Sequence, residues 1–263
     1  MQAILTAAER QGIHTMADSW DADAAIIWSV LWSGRMAPNQ AVYQHYRSQG
    51  RPVIVAEIGT LDRGRTWKMS VNNINSRGYY GHDRDLDPSR PDRLGIRWPA
   101  LLNRQAHVLV ALQHARSLQI EHLGDYAAWV GQMIDRVRAC TDRPVIIRPH
   151  PRCPINIDVT RWHRVRVQQP RRLANTYDSF DLDLDCHAVI NANSGVGIQA
   201  GLHQVPVIVD ETSLAHPIAI SIEHIESPPI IDREQWIIAI AHTEYVLSEI
   251  EQGLWLKRLE PAL

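Results

Sequence analysis

Two polar segments, each placed directly after a short apolar run, carry the residue types of an anion-binding site. In residues 145–152 an apolar strand leads into Arg148 and His150. The second segment opens a helix-like stretch with Asn193, Ser194 and Gly195. The first amides of a helix have no partner within the helix and favour an anion, while an arginine can hold a phosphate with two parallel hydrogen bonds. Together the two segments predict a site for a diphosphate, with Gly195 leaving room for close approach.

A histidine and a pair of acids extend this predicted site. A lone histidine is more often structural than functional, but the prolines on both sides of His150 favour a donor to a phosphate oxygen. Asp210 and Glu211 end the strand that follows the helix. In a Rossmann-type lobe a carboxylate near that position can bind ribose hydroxyls, and a plain loop acid is the alternative.

The sequence does not indicate a metal site. Residues 181–185 (Asp-Leu-Asp-Leu-Asp) superficially offer an Asp-x-Asp pair, but a solvated helix start is the preferred interpretation. The three cysteines, Cys140, Cys153 and Cys186, match neither a disulfide framework nor metal-site spacing. Such cysteines fit a reducing cytoplasm, and residues 1–10 lack the pattern of a secretion signal. We therefore expect a cytoplasmic protein without a resident metal or cofactor.

Alternating strands and helices must position these residues. A strand at 24–31, a helix at 39–47 and a strand at 52–57 indicate a parallel pair, because the crossover is too long for a hairpin. The apolar pattern then predicts strands at 106–112, 145–147, 187–190 and 205–209, and a helix at 126–138. This order is typical of an α/β protein with two doubly wound, Rossmann-like lobes.

Two stretches of the chain depart from simple alternation. Residues 61–93 are polar, contain glycine and show little periodicity, which predicts a long functional or mobile loop. Residues 234–250 show helical spacing after a capping-box pattern at 232–235, with Gly253 past the end. We therefore expect one long final helix, packed through Trp236 and its apolar neighbours Ile240, Tyr245 and Leu247.

Taken as a set, these segments resemble the GT-B class of glycosyltransferases, in which two Rossmann-like lobes face each other across a cleft. The match is closest to compact bacteriophage-type glycosyltransferases, some of which are linked to sugar addition on hydroxymethylated pyrimidines in DNA. The Arg–Pro–His–Pro and Asn–Ser elements are also similar to those of bacterial capsule sugar transferases. The resemblance covers most of the chain and is carried by Trp28 with Gly34, 50–57, 71–75, 110–113, 148–151, Asn193 with Ser194, 232–236, Glu249 and Gly253.

The resemblance implies a division of labour between the lobes. Residues 1–105 would form the acceptor-side lobe, and residues 106–263 would bind a nucleotide sugar, with the C-terminal helix packing back on the first lobe. A UDP-sugar is the favoured donor, with Gln113 near its base. Donor contacts would come from Arg148, His150, Asn193, Ser194, Gly195, Gln113, Asp210 and Glu211. Acceptor-side contacts would come from Trp28, Ser33, Gly34, Asn72, Asn73 and Asn75.

A catalytic carboxylate follows from the same reasoning. If transfer inverts the sugar, the acceptor hydroxyl must lose its proton to a general base. Glu57 ends an acceptor-lobe strand and is the first choice, with Asp62 second. If transfer retains configuration, both acids become acceptor or donor contacts. Preorganised donors aimed at the departing diphosphate need no metal.

The composition of the chain bears on whether it binds nucleic acid or crosses a membrane. The 263 residues carry 27 basic and 29 acidic side chains, so overall charge does not argue for nucleic acid, and no apolar run is long enough to span a bilayer. Basic residues at 84–97 and 161–172 could still hold a DNA backbone, although solvated loops are the simpler interpretation. Sugar transfer to 5-hydroxymethylpyrimidine in double-stranded DNA is the leading hypothesis. The alternatives are a surface-glycan transferase, a non-catalytic nucleotide-binding module and a sugar-nucleotide epimerase.

Overall fold

The computed structural model describes residues 1–96, 106–155, 157–175 and 179–263. The chain forms two compact units, one made of Met1–Arg97 with Glu234–Leu263 and the other of Trp98–Arg233. Both contain a sheet with helices, which confirms the predicted α/β class. The final segment belongs to the first unit, as the resemblance implied. The predicted boundary at residue 105 falls on residues outside the described ranges.

The helices and strands alternate along most of the described chain. The first unit begins with α1 (Gln2–Arg10), β1 (Ala25–Trp28), α2 (Asn39–Ser48), β2 (Val53–Ile58), β3 (Thr66–Val71) and α3 (Arg90–Arg93). The second unit contains β4 (Val108–Ala111), α4 (Tyr126–Cys140), β5 (Val145–Arg148), β6 (Val165–Val167), β7 (Ala188–Ile190), α5 (Gly195–Leu202) and β8 (Val207–Ile208). The chain then completes the first unit with α6 (Glu234–Ala241), β9 (Glu244–Val246), α7 (Leu247–Glu251) and α8 (Leu254–Leu259).

The sheet of the second unit is parallel throughout and has the strand order β6-β5-β4-β7-β8. The chain starts in the middle with β4, builds outward to β6, and then returns to add β7 and β8 on the other side. This is a doubly wound arrangement, in which ligands bind outside the carboxyl ends of the strands where the winding reverses. Its central strands are buried on both faces, which explains their continuous apolar runs.

The sheet of the first unit has the order β1-β2-β3-β9. Strands β1 and β2 are parallel, which confirms the predicted pair, whereas β3 and β9 are antiparallel to their neighbours. The prediction of a long loop at 61–93 was therefore wrong for β3. Both faces of this strand are largely buried, so Lys68 and Ser70 lie inside the unit beside Trp67 and Met69. A polar residue on a buried face hides the usual alternation of a strand.

The predicted single helix at 234–250 was also wrong, because β9 separates α6 from α7. Thr243 ends the helical turn by donating its hydroxyl to the Ile240 carbonyl at 2.8 Å. Glu244 then pairs in register with Lys68 of β3. Tyr245 is buried as expected, as are Trp236 and Ile240, whereas Leu247 is 50% exposed.

The core of the first unit joins the two ends of the described chain. Side chains of α1 and α8 pack on the sheet residues Ile54 and Met69, and Trp255 is fully buried among them. Burial of a large aromatic side chain is a major stabilising contribution. Among the described residues, no helix combines the length and apolar character needed to cross a bilayer.

Candidate functional site

The point where the winding reverses in the second unit lies between β4 and β7, and two amide side chains join there. Gln113 follows β4, and Asn193 follows β7. The Gln113 Nε2 group donates to Asn193 Oδ1 at 2.9 Å, and the Asn193 backbone amide donates to Gln113 Oε1 at 2.8 Å. Both side chains are buried. Gln113 and Asn193, which were both predicted to contact the donor, are therefore in direct contact at the edge where this fold binds ligands.

The remaining hydrogen-bonding capacity of Asn193 is also used inside the unit. Its Nδ2 group donates to the Gln119 carbonyl and to the Thr212 hydroxyl, both at 2.7 Å. These bonds hold the Asn193 side chain in one orientation, because any other orientation would leave a buried polar atom without a hydrogen bond. The geometry makes Gln113 and Asn193 the supports of the turn before α5, and direct contact with a donor molecule stays a prediction for them.

The start of α5 is held by a third amide side chain. Asn191 donates from Nδ2 to the Ser194 hydroxyl at 2.5 Å and to its carbonyl at 3.2 Å. A Cβ atom on Gly197 would lie only 3.0 Å from Asn191 Oδ1 and 3.2 Å from a methyl group of Val209, so this glycine serves helix packing. The first turn of α5 thus has a fixed position, and half-buried Ser194 and Gly195 lie at its entrance.

Arg148 is the last residue of β5, next to β4, and its side chain is buried. Its Nη2 group donates to Asp181 Oδ1. Its Nη1 group is also buried and has no hydrogen-bond partner among the described residues. A buried guanidinium nitrogen without a partner is costly, and an anion that accepts from it would remove that cost.

Asp181 is the carboxylate that holds Arg148 in place. It also accepts from the Arg171 backbone amide at 2.7 Å and from Arg171 Nε at 3.3 Å. Burial acts to raise the pKa of Asp181, but these hydrogen bonds from Arg171 and Arg148 outweigh it and lower the pKa below its usual value. Asp181 therefore belongs to an ion pair rather than to a solvated helix start, and the described residues contain no cluster of three or more potential metal ligands.

His150 lies beside His114, a residue with no distinctive sequence motif. The rings of His114 and His150 contact each other edge to face, with centroids 5.2 Å apart. His114 follows β4, and His150 follows the neighbouring strand β5. The pairing of β4 with β5 brings the two histidines together. The Leu112 amide donates to the Arg148 carbonyl, and His114 and His150 each lie two residues beyond one of these bonded residues. The signal in the sequence was that both strands end in a cation-rich segment.

Asp210, predicted to bind ribose, lies near the same edge of the sheet. Its Oδ1 atom accepts from the Thr212 amide and hydroxyl at 2.9 and 2.5 Å and from His122 Nε2 at 3.0 Å. Burial acts to raise the pKa of Asp210, but the bonds from Thr212 and His122 lower it overall. The Thr212 hydroxyl also contacts Asn193, so Asp210 is connected to the turn before α5. Neighbouring Glu211 is exposed.

In the first unit, Glu57 lies directly opposite Lys68 on the neighbouring strand. Lys68 is buried, and its ammonium group lies 3.9 Å from Glu244 Oε1. Burial lowers the pKa of Lys68, and the charges of Glu244 and Glu57 act in the opposite direction. Glu57 is half-buried at the carboxyl end of β2. It is thus a half-buried carboxylate directly opposite a buried cation.

The second candidate base, Asp62, has a different environment. Its carboxylate is 46% exposed and pairs with Arg65 at 3.2 Å. The Glu244 carboxylate holds the loop that carries Asp62, because it accepts from the backbone amides of Thr60 and Leu61 at 2.7 and 3.0 Å. Asp62 is therefore a solvated acid on a well-anchored turn. Glu244 therefore anchors this turn, a structural role that the predicted single helix at 234–250 did not indicate.

The predicted acceptor-side residues lie at the end of β1 and in the turns that follow β1 and β3. Trp28 is the last residue of β1 and lies at the carboxyl ends of the parallel strands, as do Ser33 and Gly34 in the connection that follows. Asn72 instead bonds to Val53, at the opposite end of β2. Asn73 and Asn75 each accept a backbone amide of the adjacent turn, from Ile74 and Arg77. Trp28 is in register with Ala56, three residues along β2 from Val53. The Tyr43 hydroxyl donates to the Asn72 carbonyl at 2.9 Å, and the Tyr43 ring lies 5.5 Å from that of Trp32, the residue before Ser33. The acceptor role of these residues stays a prediction.

The described arginines of the basic segment at 84–97 form hydrogen bonds and ion pairs within the first unit. Arg90 is 5% exposed and binds the Glu249 carboxylate through Nη1 and Nη2 at 2.8 and 3.0 Å. Arg93 pairs with Asp87 at 2.6 Å, and Arg84 donates to a backbone carbonyl of α8. Arg97 lies outside the described residues. The expectation that this segment grips a DNA backbone was wrong for Arg90, which is a buried structural residue.

Part of the second basic segment, at 161–172, is also engaged. The guanidinium of Arg161 lies 3.9 Å from the ring centroid of Trp162, and Arg171 binds Asp181. A cation over an indole ring is a stabilising contact in its own right. These two arginines are thus explained without a nucleic acid.

Comparison with solved structures shows which proteins share this fold. The chain is similar to the Thermosulfurimonas dismutans KpsC β-Kdo 2,4-transferase, with a TM-score of 0.52 and 10% sequence identity over 88% of this chain and 86% of that one. It is also similar to the KpsC β-Kdo 2,7-transferase of the same organism, with a TM-score of 0.50 and 14% identity over 95% and 88%. A scan of protein-family models gives no match, and neither does a search of curated proteins. The likeness shows that the α/β fold is shared with glycosyltransferases.

Proposed function

We propose that this protein is a glycosyltransferase that takes its sugar from a nucleotide-activated donor. The observation that carries the proposal is Arg148, whose buried Nη1 group has no partner among the described residues and lies at the ligand-binding edge of a doubly wound sheet. The likeness of the fold to two Kdo transferases supports the same class of reaction.

The chemistry follows from the charge that develops during transfer. When the bond between the sugar and the donor phosphate breaks, negative charge collects on the phosphate oxygens. Arg148 and the first amides of α5, which begin after Ser194, are donors held in place before the reaction starts. Preorganised donors stabilise a developing charge at little further cost. His150 completes the phosphate contacts in this proposal.

The donor's nucleoside part would extend from the phosphate toward Asp210. We propose that the Asp210 carboxylate, oriented by Thr212 and His122, accepts a ribose hydroxyl. A UDP-sugar is the donor favoured by the sequence resemblance. Because Arg148 and the helix amides supply the positive field, we expect transfer to continue in the presence of a metal chelator.

For the acceptor we propose a hydroxyl group of a saccharide. Two observations favour it over DNA. Arg84, Arg90 and Arg93 of the first basic segment are engaged within the unit. The two similar structures are sugar transferases named for Kdo, a saccharide unit. Hydroxymethylated DNA, the leading acceptor in the sequence analysis, remains the alternative to be tested beside it.

Transfer itself is the test. The purified protein is incubated with UDP-, CMP- and GDP-activated sugars and either oligosaccharides or DNA containing hydroxymethylcytosine or hydroxymethyluracil, and the products are weighed by mass spectrometry. We expect a sugar-sized mass gain on a saccharide that is lost in Arg148→Ala and kept in Arg136→Ala, a change at an exposed arginine of α4.

Each other outcome identifies a different function. A mass gain on DNA would establish the alternative acceptor. Donor binding without any transfer would indicate a non-catalytic nucleotide-binding module. Release of free nucleotide without an acceptor would indicate an epimerase-type reaction.

A further inference from the structure

His114 and His150 share a local geometry that fixes which ring nitrogen carries the proton. The Arg116 backbone amide donates to His114 Nδ1 at 3.1 Å, and the Arg152 backbone amide donates to His150 Nδ1 at 3.2 Å. A ring nitrogen that accepts a hydrogen bond carries no proton, so in each neutral imidazole the proton is on Nε2. The two histidines therefore present the same donor atom.

The positions of the two rings follow from the sheet. Each histidine lies two residues beyond a pair of hydrogen-bonded residues, Leu112 and Arg148, at the carboxyl ends of adjacent parallel strands. Their rings touch edge to face with centroids 5.2 Å apart. The buried Nη1 group of Arg148, unpartnered among the described residues, belongs to the same strand end as His150.

The surroundings of His114 favour its neutral form. Burial lowers the pKa of His114, and the nearby charges of Arg116 and Arg152 lower it further. The His114 imidazole is therefore neutral at pH 7 and can donate from Nε2–H. The positive charge at this position comes from Arg116 and Arg152. A neutral N–H donor beside fixed cations suits an oxyanion, because it adds a directed hydrogen bond without another charge to desolvate.

We propose that His114 is a further ligand of the donor phosphate, forming with His150 a two-histidine N–H site in which each ring donates from Nε2 to a phosphate oxygen. The inference rests on the proposed function for the identity of the ligand, a nucleotide-linked phosphate. Its test uses inorganic pyrophosphate as the probe, so that the site can be examined whether or not sugar transfer is found.

The experiment combines imidazole NMR with two substitutions in the full chain. Long-range ¹H–¹⁵N spectra of histidine-labelled protein report the tautomer of each ring and its response to pyrophosphate. His114→Gln places an amide nitrogen near the position of Nε2, whereas His114→Asn reaches only the position of Nδ1. His216→Asn, at an exposed histidine outside this edge, is the matched control.

We expect both rings to show the Nε2–H tautomer and to shift when pyrophosphate binds. The dissociation constant of pyrophosphate should rise about tenfold in His114→Asn, as for loss of a hydrogen bond to a charged group, and stay within about threefold of wild type in His114→Gln. Unmoved His114 signals, absence of pyrophosphate binding, or equal losses in the two folded variants would overturn the inference.

The outcome for this site is separable from that for the enzyme. Pyrophosphate binding that depends on His114, without transfer from any donor, would contradict the proposed function and keep the site. Sugar transfer that is unchanged in His114→Asn would keep the function and remove His114 from the site.

Discussion

Arg148 donates from Nη2 to the carboxylate of Asp181, while its buried Nη1 group has no partner among the described residues. The ion pair fixes one side of the guanidinium, and the other side is left to bind a ligand. An arginine held in this way loses little side-chain freedom when an anion arrives, which favours tight and directional binding. This relationship supports the proposal of a phosphate site in the second unit.

Replacement of Arg148 should therefore weaken transfer from the nucleotide sugar. We expect Arg148→Ala to lower kcat/KM for the nucleotide sugar by about 100-fold or more, as for loss of one preorganised oxyanion donor. Arg148→Lys should also fail to restore activity, because an ammonium group cannot hold Asp181 and a phosphate in the same planar geometry. Steady-state kinetics with circular dichroism as a folding check measures this. Near-normal kcat/KM in folded Arg148→Ala would contradict the role.

The ion pair also predicts how stability changes with pH. The folded-state pKa of Asp181 is below its usual value, so its carboxylate stabilises the fold above about pH 4, and that contribution is lost as the pH falls through the folded pKa. Asp181→Asn should cost about 2–3 kcal/mol at pH 7, because it leaves a buried arginine without its carboxylate.

Urea unfolding from pH 7 to pH 3 measures this difference. The gap between wild type and Asp181→Asn should be constant from pH 7 to 5 and should shrink below about pH 4. Asp23→Asn, at an exposed acid of the first unit, controls for the general loss of charge. A gap that widens on acidification would show that the carboxylate does not stabilise the fold.

The general base is tested by comparing the two candidate acids. If transfer inverts the sugar, Glu57→Gln should lower kcat by about 100-fold or more with KM for the donor nearly unchanged, because only the proton acceptor is lost. Asp62→Asn should stay within about threefold of wild type, since Asp62 is solvated and pairs with Arg65. The reverse pattern would assign the base to Asp62, and two small effects would favour a retaining reaction.

Glu244 should be a major determinant of stability in the first unit. It is fully buried and accepts from the Thr60 and Leu61 amides and from the Thr66 hydroxyl at 2.7 Å, beside Lys68. Glu244→Gln should lower the free energy of unfolding by about 3 kcal/mol, because an amide nitrogen cannot accept these bonds and Lys68 loses its charge partner. Denaturant unfolding measures the loss, with exposed Glu251→Gln as the control. A loss below about 1 kcal/mol would show that the cluster contributes little.

The sequence predicted the second unit well for a physical reason. A parallel sheet buried on both faces leaves continuous apolar runs, and each run ends at the ligand-binding edge, so Arg148 and Ser194 were visible from their positions alone. The strands and helices of the first unit were harder to predict. The buried polar residues Lys68 and Glu244 stabilise each other only after β3 and β9 pair, and that pairing joins segments far apart in the chain.

The residues of the candidate phosphate site could be predicted only in part. Local sequence identified His150 but not His114, because the two rings meet only when β4 and β5 lie side by side. Asp181 was interpreted as a solvated acid for the same reason, since its partner Arg148 is distant in sequence. Residues at the ends of apolar runs could be singled out from local sequence, whereas the roles of His114 and Asp181 depend on partners that are distant in the chain.

A crystal structure with a bound nucleotide is the most direct test of the phosphate site at Arg148. The protein would be crystallised with the nucleotide or nucleotide sugar that binds most tightly from the panel. We expect a phosphate oxygen within hydrogen-bond distance of Arg148 Nη1 and of a first-turn amide of α5. A nucleotide bound elsewhere, with Arg148 Nη1 facing no ligand, would contradict it.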